Sequence, residues 1–351
     1  MKKLLNRIFI EGLSGMAQGL FATLIIGTIL CQIGSLAGGK AGMYIGIVGT
    51  MAKAITGAGI GVGVAARFQE SPLVTVSAAV SGMIGAFSSQ LLAGTVIDAG
   101  RVAFNIPGEP LGAFVAAYIA IEAGHLVSGK TKMDIIVTPV VSIVPGAAVG
   151  LLLGPPISRF MAWVGSLIEW GMNQQPLIMG VVVSVLMGMA LTLPISSAAI
   201  GISLGLTGLS AGAATVGCCC QMVGFAVASY KENKIGGLIS QGIGTSMLQM
   251  PNILKNPFIW IPPIVSSAIL GPVASCVLKM QNNAIGSGMG TSGLVGPIMA
   301  YQVMVQSQSP VWVIIQILVM YFILPGAITF AVADAMNKLG WIKKGDMALK
   351  M

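Results

Sequence analysis

Residues 112–142 read GAFVAAYIAIEAGHLVSGKTKMDIIVTPVVS. An apolar run holding one Glu and one His closes on Ser-Gly-Lys-Thr-Lys, and a second apolar run opens at once. Helical residues rise about 1.5 Å each, so some twenty of them cross a hydrocarbon core about 30 Å thick. Both runs suit that length. Neither alternates in polarity as a barrel strand would. Each is therefore predicted to be a transmembrane helix, with a basic loop between them.

Outward from this pair the pattern repeats. Apolar segments fall near 14–36, 41–66, 71–95, 110–128, 133–154, 177–206, 208–229, 235–253, 258–278, 283–300 and 310–333. A weaker amphipathic stretch, 156–173, carries Arg159, Trp163, Glu169 and Trp170. The expected fold is all-α, a polytopic helical membrane protein of about ten to twelve spans. No connecting loop exceeds about fifteen residues, so a single integral membrane domain is expected, without an attached soluble domain. The N-terminal run lacks a small-residue cleavage site and reads as a retained first helix.

Composition agrees with this reading. Of 351 residues, 18 are Lys or Arg and 10 are Asp or Glu, only 8% charged, while 55% are hydrophobic. Mean hydropathy is +0.92. A soluble domain carries roughly a quarter charged residues, and a disordered chain is polar. Both classes are excluded, and the 48 glycines follow no three-residue collagen period. The net charge of +8 does not indicate nucleic acid, because the basic residues flank apolar runs and lack interleaved aromatics.

Sliding the chain by 124 positions lays Gly112–Ser142 over Gly236–Ser266, with identities that include Pro139 with Pro263 and Ser142 with Ser266. Upstream, an offset of 139 pairs Met83 and Gly85 with Met222 and Gly224. The expected organisation is a first copy near 14–154, a second near 156–278, and a C-terminal Gly-rich segment with a last helix over 281–333. If 156–173 spans the membrane, each copy has five spans and the second is inverted. Inner loops then collect thirteen Lys or Arg and outer loops four. If 156–173 lies on the surface, the copies are parallel and the margin narrows. The positive-inside rule favours inversion, with cytoplasmic termini. Inverted repeats are a hallmark of secondary transporters.

Few residues can carry chemistry. Glu122 and His125 lie three apart on one helical face of an otherwise apolar run. A charge at bilayer depth costs roughly 2.5–3.5 kcal/mol, so it is expected to face a polar cavity or a partner. Lys53 sits midway along 41–66 and calls for an ion pair, structural or functional, with Glu122 a candidate. In the second copy Ser246 and Gln249 occupy the places of Glu122 and His125. Neutral donors and acceptors of that kind suit a polyhydroxylated ligand, or bond neighbouring helices. Asn282, Asn283, Thr291 and Ser292 mark the most polar Gly-rich stretch at membrane depth, expected as a re-entrant or broken segment. Close helix packing is the alternative for it. Its glycine spacing lacks the strand and acidic partner of a dinucleotide site. No metal-ligand set, nucleophile–base pair or phosphate loop is visible, so no cofactor and no catalytic site of its own are expected. The five cysteines, Cys31, Cys218, Cys219, Cys220 and Cys276, lie in apolar stretches and read as core.

The runs VSGKTKMDIIVTPVVSI (127–143), GPPI (154–157) and NPFIWIPPIVSSAILGPVASCVLKMQNNAIGSGMGTSGLVGPI (256–298) resemble the EIIC membrane proteins of the bacterial phosphotransferase system. The likeness is to the second EIIC family, which includes proteins similar to the perfringolysin regulator, and KMQNNAIGSGMGTSGL is its most specific block. The resemblance implies a sugar permease of the bacterial inner membrane, usually a homodimer. It also implies a separate EIIB protein whose phosphocysteine phosphorylates the incoming sugar, fed by a phosphohistidine EIIA; neither domain is recognisable here. The reading that follows is a permease for a small polar solute, a sugar as the resemblance implies, working by alternating access. The alternatives are a membrane-embedded ligand sensor without net transport, and a passive channel.

Overall fold

The computed structural model describes residues 7–98, 101–102 and 108–349. The described residues are mostly helical, with a two-residue antiparallel pairing of Ile97–Asp98 with Arg101–Val102. It divides into two compact units, Met1–Met161 and Ala162–Met351.

The first unit contains α1 (Arg7–Ala37), α2 (Gly39–Ala54), α3 (Thr56–Arg67), α4 (Pro72–Ala86), α5 (Pro110–Val127) and most of α6 (Asp134–Met172). Gly38, at φ 62°, turns α1 back as α2. The chain then bends by 58° between α2 and α3. Helix starts follow local chemistry: Ser71 caps α4 ahead of Pro72, and Glu109 caps α5 ahead of Pro110. Without a hydrophobic driving force between helices in lipid, close association needs small residues at the crossing. Gly15 and Gly19 of α1 face Gly59 and Gly63 of α3, and a Cβ on Gly15 would lie 2.6 Å from the Gly63 carbonyl oxygen. The small-xxx-small spacing at Gly59 and Gly63 is thus a helix crossing.

The second unit contains α7 (Pro176–Thr192), α8 (Ser197–Ser203), α9 (Gly208–Ala228), α10 (Tyr230–Ile239), α11 (Pro257–Val277), α12 (Val295–Met304) and α13 (Pro310–Lys338). Its centre is α9, buried on every side from Ala211 to Ala226, with Cys218, Cys219 and Cys220 fully inside. A helix that is apolar all round belongs in a core. Helices α7, α11 and α13 pack around it.

Six described helices are long and apolar enough to cross a membrane: α1, α5, α6, α9, α11 and α13. The bent pair α2–α3 makes a seventh if counted as one span, and α4 and α7 are shorter apolar helices. That is fewer continuous spans than the ten to twelve apolar segments of the sequence, for two reasons. Segments 133–154 and 156–173 merge into α6, 39 residues long, through Pro155 and Pro156. At 1.5 Å per residue α6 is about 58 Å long, nearly twice a hydrocarbon core. Segments 235–253 and 283–300 are instead broken into short pieces. Thr245 is extended (φ −159°, ψ 140°), and Gly290 and Gly293 take positive φ. The Gly-rich segment is broken as expected.

Candidate functional site

A polar centre stands out in each unit, and the two differ in kind. In the first unit the charges gather where α1 begins, α3 ends and α5 nears its last turn. Arg7 donates from Nε to Glu122 Oε1 at 2.7 Å and from Nη2 to Glu70 Oε1 at 3.3 Å. His125 Nδ1 lies 3.0 Å from the other oxygen of Glu70. Arg67 Nε donates to Glu11 Oε2 at 2.8 Å. The Arg7 guanidinium stands 4.3 Å above the Phe68 ring, which meets Tyr118 edge-on at 6.1 Å. The Glu70 side chain is 5% exposed, whereas that of His125 is 60% exposed. Glu122 lies five residues, about 7.5 Å, from the end of α5 at Val127, so it sits near a helix end and its charge is countered.

Glu122 therefore pairs with Arg7, which the sequence presents as a basic flank, and not with Lys53. Lys53 lies half-buried in the last turn of α2, its carbonyl accepting from Thr56 Oγ1 at 2.7 Å. No ion pair of Lys53 occurs among the described residues. Sequence reasoning passed over Glu70, Glu11 and Arg67, which lie in short loops or at helix ends. The available signal was opposite charge at the ends of neighbouring apolar segments. Near this unit's other helix end, burial pushes the Glu109 carboxyl up to about 7, against the smaller downward pull of the Leu111 amide it accepts.

The second unit's interior is neutral. Thr192 Oγ1 lies 2.8 Å from Ser246 Oγ and donates to Gln221 Oε1 at 3.2 Å. Trp260 Nε1 donates to the same Gln221 oxygen at 2.9 Å. Gln221 is fully buried, and its Nε2 has no hydrogen-bond partner. Gln221 is the residue the sequence reading missed, although it is the one carboxamide in the apolar run 208–229.

Gln249 belongs to a neighbouring ladder. Its Nε2 donates to Gln241 Oε1 at 2.8 Å and to the Met347 carbonyl at 2.9 Å, and its Oε1 accepts from Asn252 Nδ2 at 2.9 Å. Asn252 also donates to the Ala348 carbonyl, and Asn233 brackets the same strap through the Met347 carbonyl and the Leu349 amide. Glu232 accepts from the amides of Gly345 and Met347. The side chains of 232–252 thus hold the backbone of residues 345–349.

The Gly-rich segment is tied down residue by residue. Asn282 exchanges backbone hydrogen bonds with Gly208 and donates from Nδ2 to Thr215 Oγ1 at 2.8 Å. Asn283 caps the turn at Gly286 through Oδ1 at 2.9 Å. Thr291 Oγ1 donates to the Gly242 carbonyl at 2.5 Å. Ser292 is buried, and its Oγ has no partner. Among the six residues expected to contact solute in this unit, Ser292 alone keeps its side-chain hydrogen-bonding capacity unused.

Residues 10–349 match the family described as Phosphotransferase system, EIIC. The search of curated proteins finds no match. Because that match runs almost from end to end of a multi-pass membrane chain, the protein belongs to the phosphotransferase EIIC family and is an EIIC-like transporter.

Proposed function

We propose that the protein is a permease for a sugar, working by alternating access, and that the neutral interior of the second unit supplies solute contacts. The observation that carries this reading is Gln221: a fully buried carboxamide with an unpartnered Nε2, bonded through its oxygen to the indole of Trp260 and to Thr192. Leaving a buried donor unmade costs about 1–3 kcal/mol, and a sugar hydroxyl arriving from the transport path would repay it. Ser292 adds an open hydroxyl. In this reading Glu122 and His125, held with Arg7 and Glu70, order the first unit, and Ser246 and Gln249 position their neighbours. Lys53, which forms no ion pair among the described residues, is given no solute contact in this reading.

The internal repeat supports alternating access. The 124-residue offset carries Asp134, where α6 starts, onto Phe258, next to the start of α11 at Pro257. Family membership favours a separate EIIB partner that phosphorylates the sugar on the inner side, in a bacterial inner membrane, from a homodimer.

Uptake of radiolabelled hexoses and pentoses into proteoliposomes tests the reading, with and without phosphorylated EIIB. Saturable uptake of at least one sugar is expected, with exchange against preloaded sugar, and Gln221→Ala should lower it about tenfold. Saturable binding without uptake would replace the permease by the sensor. Unsaturable flux without exchange would replace it by a channel.

A further inference from the structure

The span α11 ends in a turn that holds Lys279 at φ +48°, an unusual backbone for a residue with a side chain. The turn is fixed on both sides by the Leu278 amide on the Val273 carbonyl and the Met280 amide on the Ala274 carbonyl, at 3.0 and 2.8 Å. Strain of this kind persists only where the surroundings over-determine it, and it gathers at ligand clamps. Beside it opens a groove of about 380 Å³, lined by Val277, Lys279, Gln308, Ser309, Trp312 and Gln316 among others.

Among the described residues the side chains of the polar lining have no hydrogen-bond or ion-pair partner. Gln316 is 3% exposed, and its Oε1 lacks a hydrogen-bond partner, as does that of Gln308. Neither carboxamide bonds to another described residue, and Lys279 makes no ion pair among them. Buried carboxamides left unmade are costly, which points to a ligand. No acidic residue lines the groove, so a cationic group would find no counter-charge there.

Position says what kind of ligand. Helix α11, 21 residues long, extends about 31 Å, the thickness of a hydrocarbon core. The groove lies where α11 stops and α13 starts, which places it at the level of the headgroups. Below it on α13 run the exposed apolar side chains of Val311, Ile314, Ile315 and Leu318, and Val277 is exposed on α11. A Trp and a Lys at such a boundary are the usual interfacial pair.

We propose that this groove is a binding site for an anionic phospholipid. Lys279 counters the phosphate charge, the Nε2 groups of Gln308 and Gln316 donate to the phosphate oxygens, and their open Oε1 atoms accept from headgroup hydroxyls. The acyl chains lie along Trp312 and the apolar face of α13.

The full chain, purified in detergent and stripped of lipid, is titrated with phosphatidylglycerol and phosphatidylcholine of identical acyl chains. Bound lipid is counted by native mass spectrometry. Phosphatidylglycerol should be retained about fivefold better or more, since one Lys at a membrane surface contributes that much. K279Q should abolish the preference without moving the melting temperature. Q316L should weaken the binding of both lipids. A merely structural Gln316 would leave binding as it was, so unchanged binding in Q316L removes it from the site and overturns the proposal. Equal retention of both lipids by the unaltered chain, or an undiminished preference in K279Q, also overturns it. So does an equal loss in K130Q, a lysine outside the groove, because that reports charge alone. Full displacement by glycerol 3-phosphate at the lipid's own concentration overturns the lipid source in favour of a soluble phosphate.

Discussion

The two polar centres solve the same problem by opposite means. The first unit gathers Arg7, Glu11, Arg67, Glu70, Glu122 and His125 at the ends of its helices, where water reaches some of them. The second unit places Thr192, Gln221, Ser246, Gln249 and Asn282 inside, fully or nearly fully buried, with no ionised partner in their contacts. Ions keep part of their hydration at a boundary and lose it in a core, where the penalty is several kcal/mol per ion. Amides and hydroxyls carry a smaller penalty, which a hydrogen bond offsets. Charge is therefore tolerable where the first unit uses it, and neutral polarity is the affordable chemistry at depth.

The contrast can be broken at several points. The largest effect should come from Glu70, the most buried carboxylate of the charged centre. Glu70→Leu leaves Arg7 with one partner and His125 with none, so the first unit should lose about 3 kcal/mol in thermal unfolding of the detergent-solubilised protein. A loss below about 1 kcal/mol would show that water already screens this centre.

Glu109 gives a slightly smaller, pH-dependent effect. Its folded-state carboxyl is raised from 4.5 to about 7, so the folded chain binds the proton more tightly than the unfolded one. The sign follows: the stabilisation is complete below about pH 4.5 and is lost as pH rises through 7, by about 2–3 kcal/mol. A melting-temperature profile should fall over that window in the unaltered chain and flatten in Glu109→Gln.

In the neutral centre, Gln249→Leu removes one donor and one acceptor that hold Asn252 and the Met347 carbonyl. A cost of about 1–2 kcal/mol is expected, with faster amide exchange over residues 345–349. Unchanged exchange there would mean that Glu232 and Asn233 hold the strap unaided. The smallest effect belongs to Arg67→Met, which deprives Glu11 of a partly exposed partner and should cost no more than about 1 kcal/mol.

Much of this was legible beforehand. The apolar runs mark the long helices. The Gly-rich stretch at 281–294 is read correctly as broken, because Asn, Ser and Gly supply the caps and positive φ that a continuous helix excludes. Pro155 and Pro156 mislead: a proline pair normally ends a helix, yet α6 continues through it. Segment 235–253 misleads in the other direction. It is apolar enough to span, but its Gln241, Gln249 and Asn252 bond to one another and to a distant strap instead of sustaining one helix. For the site, Glu122 and Gln249 were visible as polar residues in apolar runs, whereas their partners Arg7 and Met347 lie 115 and 98 positions away.

Hydropathy, length of run and the distribution of Lys and Arg are local quantities, and they alone dictate a multi-spanning helical membrane chain. Its family likewise follows from the order of residues. Which carboxylate takes Arg7, why Lys53 forms no ion pair among the described residues, and which buried amide keeps a free donor are decided only by the tertiary fold. Hydrogen bonds and ion pairs act over about 3 Å, and only packing brings residues a hundred positions apart within that reach.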